Sequence, residues 1–170
     1  MHRQALPQAK ILSRLGKSGT NDANMLSILA ENGLIADFPS QVEAEADAIP
    51  LTIEQSVIDQ RIDFRNKTVF TIDPVDAKDF DDALSIEELE NGHLRLGVHI
   101  ADVTHYVQTG SALDEEAHKR ATSIYLVDRV IPMLPERLSN GVCSLRPKED
   151  KLCYSCFMEV NHKAELVRYE

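Results

Sequence analysis

Apolar positions recur at helical spacing in the first third of the chain and at strand spacing after residue 65. Met25, Leu26, Ile28 and Leu29 form one apolar side of a predicted helix, with Asn21 or Asp22 placed to cap it and Gly33 to end it. A second helix is predicted from near Pro39, a residue favoured in the first turn, through QVEAEADAI to a stop at Pro50. A third starts at Thr52, where Gln55 three residues on gives the form of a capping box. Ahead of these helices, residues 7–16 read as a short extended piece closed by Gly16, and KSGTND as a connector.

From Asn66 the alternation changes. NKTVFTID, DALSIEELE and HLRLGVHIA are predicted strands, with Asn91-Gly92 turning the chain between the second and the third. Ser111 is placed to cap a helix over residues 112–124, with Asp114 in its first turn. Residues 129–147 read as loop, because Pro132, Pro135, Gly141 and Pro147 interrupt any regular period. LCYSCFMEV and ELVRYE are two further strands around a turn at Asn161-His162-Lys163. The last strand runs to the final residue, so a piece of a longer protein is expected. The fold class is α+β: a helical N-terminal segment, then part of a mixed, mainly antiparallel sheet with a flanking helix.

Composition narrows the function classes only a little. With 170 residues and 43% apolar content, the chain suits a domain with its own core. No apolar run approaches the ~18 residues that span a bilayer. MHRQALPQAK lacks the apolar centre of a secretory signal. Three cysteines are too few and too odd in number for a disulfide framework, which fits a reducing compartment. A cytoplasmic protein with no membrane partner is expected. The net charge of −10 argues against a broad basic face for nucleic acid. Either the chain binds none, or its acidity includes a metal site and the basic surfaces lie elsewhere.

That charge has a focus in TIDPVDAKDFDDA, where Asp73, Asp76, Asp79, Asp81 and Asp82 fall within ten positions. Carboxylates at this density repel one another unless a cation compensates. An oxygen-only donor set points to a hard ion, Mg²⁺ or Mn²⁺. Asp73 is read as the end of an apolar strand, with Pro74 ending ladder bonding. Asp79 and Asp81 share a face if extended, and Asp82 points the other way. All converge only if DAKDFDD is an irregular loop folded back beside Asp73, with Phe80 as its apolar peg. Such a site suits phosphoryl transfer. On composition alone a solvated acidic loop is the commoner origin of such a run, whereas no register supplies the glycine-containing EF-hand pattern.

TIDPVDAKDFDDAL closely resembles the signature of the RNase II/RNB exoribonuclease family. The likeness continues through GVHIADVTHYV, the stretch SALDEEAHKRATSIYL, and IPMLPERLSNGVCSLRP. FPSQVEAEA resembles the ribonuclease R branch. The resemblance implies that Asp73, Asp79, Asp81 and Asp82 are the catalytic aspartates and ligands of Mg²⁺, with Mn²⁺ as a substitute. Asp76 lies at a less restricted position and is left outside that set. Tyr125 matches a tyrosine that stacks on the terminal nucleotide, a contact that grips any base without reading sequence. The implied reaction is processive 3′–5′ hydrolysis of single-stranded RNA, releasing nucleoside 5′-monophosphates, by a monomeric parent protein. The implied domains are the tail of a preceding cold-shock (OB-like) domain and connector over 1–20, a helical segment over 21–65, and the first part of the RNB catalytic domain over 66–170. Further cold-shock, RNB and S1 regions would supply the rest of the RNA grip, which leaves this piece alone inactive. A family member serving only as an RNA-binding module is the alternative, and it would be marked by loss of the aspartates.

Other features carry less. Cys153-x-x-Cys156 lies in a strand-like run that puts the two thiols on opposite faces, and both are expected to be structural and buried, as is Cys143. His99 and His105 flank Asp102 and are read as hydrogen-bonded structural groups, with Asp102 a supporting residue of the site. Arg120, beside Lys119 and Arg129, is a candidate phosphate contact.

Overall fold

The computed structural model describes residues 9–170. They fall into two compact units, one ending at Asp37 and the other beginning at Phe38. In the first unit, helix α1 (Asn21–Glu31) is capped by Thr20, whose hydroxyl accepts from the Ala23 N–H at 3.2 Å. The predicted caps, Asn21 and Asp22, are instead the first helical residues, because the extended backbone that a cap requires falls at Thr20. Gly33, at φ 70°, ends the helix as expected. Its neighbour Leu34 donates back to the Leu29 carbonyl at 2.9 Å. Residues 9–15 carry no strand, and residues 1–8 of the expected tail lie outside the described residues.

The second unit opens with α2 (Ser40–Ala48), for which Pro39 is the cap residue and not the first helical one. Only one turn follows, α3 (Gln55–Ile58). The expected capping box at Thr52 does not form: Glu54 is the cap residue, and the Gln55 amide is bonded to Asp59.

The strands are β1 (Val69–Phe70), β2 (Asp82–Glu88), β3 (Leu94–Ala101), β4 (Ile124–Tyr125), β5 (Val130–Ile131), β6 (Cys153–Val160) and β7 (Leu166–Tyr169). Five form one sheet in the order β1-β2-β3-β6-β7, with every pairing antiparallel, and β4 and β5 form a separate hairpin. β2 and β3 pair from Asp82–Ile100 to Glu88–Leu94 across the Asn91-Gly92 turn. The NKTVFTID strand is reduced to Val69–Phe70, since Ile72 is exposed and Pro74 has no N–H to give.

Between β3 and β6 lie α4 (Val103–Tyr106) and α5 (Ala112–Arg120). Ser111 caps α5 as predicted, accepting from the Asp114 N–H at 3.2 Å. The helix stops at Arg120, four residues early, because Ala121 turns to φ 64° and releases the chain into β4. Residues 129–147, expected as loop, contain β5 and a wide helical turn, Leu138–Val142.

Val42, Ala46 and Ile49 of the α2 region meet Leu113 of α5, Leu134, Leu138, Val142 and Cys143 in the main core. That core holds the end of β3 at Ala101 and so fixes the edge beside which the aspartate loop lies. One face of the sheet stacks Phe64, His99 and Phe157. The His99 ring is bonded to Ser85 and Ser155 at 2.9 and 2.8 Å, and Gly97 leaves it the room: a Cβ there would lie 2.3 Å from Ser85 Oγ. On the other face, Ile86, Ile100, Tyr154 and Cys156 are exposed.

Candidate active site

The aspartate segment leaves β1 at Thr71, makes an exposed turn at Val75–Asp76, and returns into β2 at Asp82. Asp73 therefore lies three residues beyond its strand, not at its end. The outer part of the loop is held by one short bond, from the Ala77 N–H to the Pro74 carbonyl. The inner part is held more firmly. Ser144 Oγ donates to the Lys78 carbonyl at 2.8 Å and accepts from the Phe80 N–H at 3.1 Å. Leu145 N–H donates to the Phe80 carbonyl, and Ala101 N–H to that of Asp81, at 2.8 and 2.9 Å. The loop is thus irregular, as anticipated, and the Phe80 main chain carries the hydrogen bonds that hold it.

The loop brings the aspartates within electrostatic reach of one another. The Asp81 carboxyl is held above the usual carboxylate range, first by burial and then by the charges of Asp79, Asp82 and Asp73. Asp76 is not among the charges acting on it. Tyr125, sixty-six per cent exposed and presented by β4, donates its hydroxyl to Asp79 Oδ2 at 2.9 Å. This bond and partial burial raise the phenol above its ordinary pKa. An exposed ring beside the carboxylates leaves its face open for stacking. The five residues singled out in the sequence, Asp73, Asp79, Asp81, Asp82 and Tyr125, are one neighbourhood drawn from two separate chain segments.

Oxygen-only donors under mutual repulsion fit a hard divalent cation in their chemistry. Among the described residues, no three His, Cys, Asp or Glu side chains stand together as a ready-made metal cage.

Arg120 and Asp102 have partners that the sequence did not announce, and Cys156 departs from what it led one to expect. Arg120 is bonded to Glu116 at 2.9 Å and lies 3.7 Å over the Phe38 ring, so it locks α5 to the start of its unit. Asp102 is buried and paired with Arg61 at 2.7 Å, while also accepting from Thr104 and the His105 N–H. Burial works against its ionisation, but these donors outweigh it and the carboxyl is held low. Cys156, expected to be buried, is exposed on the same face of the sheet as Ile100 and Tyr154; Cys153 is half-buried and Cys143 buried. Sequence reasoning missed both Ser144 and Arg61. Neither carries a spacing signal, since their partners lie 64 to 66 and 41 positions away.

A cavity of about 630 Å³ is lined by Arg61, Phe64, Val69, His99, Leu145 and Phe157, among others, and by none of the four aspartates. Three of its cations are paired, in Arg61–Asp102, Arg65–Asp63 and Lys151–Glu149.

Comparison with known proteins adds kinship to this geometry. A family model described as RNB domain matches residues 61–170. Ribonuclease R of Thermotoga maritima is 49% identical over 166 residues, covering 96% of this chain and 23% of that protein. Ribonuclease R 1 of Lactococcus lactis is 45% identical over 163 residues, covering 96% and 20%. A solved structure of Mycoplasma genitalium RNase R in complex with double-stranded RNA matches with a TM-score of 0.85 at 32% identity, covering 92% of this chain and 28% of that one. The chain spans about a fifth to a quarter of the length of these curated relatives.

Proposed function

The chain belongs to the RNB-domain family of exoribonucleases, of the ribonuclease R type, and from that premise we propose that it carries the catalytic aspartates of a Mg²⁺-dependent 3′–5′ exoribonuclease. The observation that carries the reading is the meeting of Tyr125 with Asp79 beside Asp81, across 46 positions of sequence. An acidic loop that served only solubility would have no reason to gather an exposed aromatic ring.

In this reading Asp73, Asp79, Asp81 and Asp82 would hold the metal and orient a water for in-line attack on the terminal phosphodiester. Mg²⁺, when bound, would supply charge stabilisation for the displacement. The Asp81 carboxyl, reluctant to ionise first through burial and then through the charges of Asp79, Asp82 and Asp73, would be favoured in its charged form by a cation held there. Tyr125 packs its ring on the last base, which fixes the terminal nucleotide without regard to sequence. The 2′-hydroxyl is the group by which such a site favours RNA. Successive cuts release nucleoside 5′-monophosphates from a strand threaded to the loop. The protein acts in the cytoplasm as a monomer, with residues 1–20 the tail of a cold-shock domain and connector, residues 21–65 a helical segment and residues 66–170 the opening part of the catalytic domain. The remaining RNA grip comes from parts of the protein beyond this chain, and the 170-residue piece alone trims no RNA.

A denaturing gel of 5′-labelled single-stranded RNA tests the reading, with the full-length protein, Mg²⁺, an Asp81→Asn variant and an EDTA lane. A ladder shortening from the 3′ end and lost in both controls is expected. Intact RNA in the active lane, with binding still detected by filter retention, refutes catalysis and leaves an RNA-binding module.

A further inference from the structure

Resting on the exoribonuclease reading, we propose that Ser144 is a positioning residue, whose hydroxyl sets the presentation of Asp79 and Asp81 before any metal arrives. Ser144 is fully buried. Its single oxygen serves the loop at two points, giving a hydrogen bond to the Lys78 carbonyl and taking one from the Phe80 N–H. These two groups bracket Asp79. The next residue along, Leu145, donates to the Phe80 carbonyl, and Ala101 on the far side donates to the Asp81 carbonyl. Both polar groups of the Phe80 main chain are therefore tied to Ser144-Leu145, so that two residues stand in for the missing partner strand.

The consequence follows from chain geometry. Fixing the Phe80 main chain on both sides fixes where Asp79 and Asp81 leave it, and Asp79 is the first of the charges that act on the Asp81 carboxyl. Their like charges, joined by those of Asp73 and Asp82, push an unrestrained loop apart. A rigid buried anchor opposes that push, and metal ligands are commonly oriented by such supporting hydrogen bonds. The anchor itself is secured at its base. Ser144 N–H donates to the Gly141 carbonyl, which also accepts from Lys151 Nζ at 2.7 Å. The wide helical turn Leu138–Val142, seated in the core through fully buried Leu138, thereby reaches the aspartates through one hydroxyl.

The test uses the full-length protein with Ser144→Ala and Ser144→Thr. Without metal, amide hydrogen exchange is followed by mass spectrometry over residues 77–82 and, as a reference, over 94–101. Mn²⁺ affinity is measured by titration, and kcat and KM are measured on labelled single-stranded RNA. Ser144→Ala should raise exchange in 77–82 while 94–101 keeps the wild-type rate. Mn²⁺ affinity should fall about tenfold or more, as for loss of groups that support metal ligands. The kcat should drop with it and KM stay near its wild-type value. Ser144→Thr, which keeps the hydroxyl, should recover much of the loss. A folded Ser144→Ala protein with wild-type exchange in 77–82, or with unchanged Mn²⁺ affinity, overturns the proposal. So does exchange rising equally in both segments, which marks a purely structural serine. Fast exchange at the Phe80 amide of the wild-type protein overturns it with no variant needed. Failure of the exoribonuclease reading looks different: the wild-type protein itself then leaves RNA intact.

Discussion

Truncating Arg61 to alanine isolates what the Arg61–Asp102 pair contributes to the platform beneath the site. Asp102 is only seven per cent exposed and Arg61 about a third exposed, with the nitrogen and oxygen 2.7 Å apart. Removing one partner of a fully buried pair costs ~3–5 kcal/mol, because the other charge is stranded. Two observations reduce that figure here. Arg61 is partly hydrated, so solvent already screens its charge. Asp102 also keeps Thr104 Oγ1 at 2.7 Å and the His105 N–H at 3.2 Å, so it is not left without donors. The loss is then closer to that of one charged hydrogen bond, ~2 kcal/mol. For a chain of this length it lowers Tm by roughly 4–8 °C.

A double-mutant cycle with Asp102→Asn, read by urea unfolding under circular dichroism, separates the pair from its neighbours, and a coupling of roughly 1–2 kcal/mol is expected at pH 7. The pH dependence has a fixed sign. The folded carboxyl is held below its ordinary value, so its contribution is present above the usual carboxylate range. It is lost as the pH falls through the depressed folded value, and the coupling must shrink in acid. A coupling under about 0.5 kcal/mol at pH 7 refutes the reasoning, since surface pairs alone reach that value. A coupling that persists unchanged in acid refutes it too.

Other expectations follow from the same geometry. Asp81→Asn should abolish trimming yet stabilise the metal-free protein at pH 7, because a carboxyl held above its ordinary range destabilises the fold once ionised. That gain should vanish below the usual carboxylate range, where aspartate is neutral as well; melting scans across pH in EDTA check both limbs. Gly97→Ala places a Cβ 2.3 Å from Ser85 Oγ and 2.7 Å from His99 Nε2, and should cost about 2–4 kcal/mol by overpacking and disrupted buried hydrogen bonds. Equilibrium unfolding measures it. In native protein Cys156 should react with a thiol reagent at once, while Cys143, fully buried with its thiol pushed up to about 12, should react only on unfolding. Mass spectrometry of alkylated peptides distinguishes the two.

Much of this protein was determined locally. Alternating apolar positions made β2, β3 and β6 strands, since half of each strand's side chains must leave water. Ser111 and Gly33 marked helix ends through their own backbone chemistry, and the aspartate run declared a charge problem. The α+β class was likewise legible. Other features depend on partners far away in the chain. Thr20, not its neighbours, caps α1 because of where the backbone turns. Ala121 ends α5 in a conformation that no propensity announces. Arg120, a candidate for phosphate on composition, is committed to Glu116 and Phe38. Above all, Ser144 and Arg61 act across 64 to 66 and 41 positions, and nothing in a serine or an arginine announces so distant a partner. The chain's own pattern determined which residues bear charge; packing around Leu138 and Ala101 decided where those charges are held, because a hydrogen bond across the fold exists only once the core has brought its two ends together.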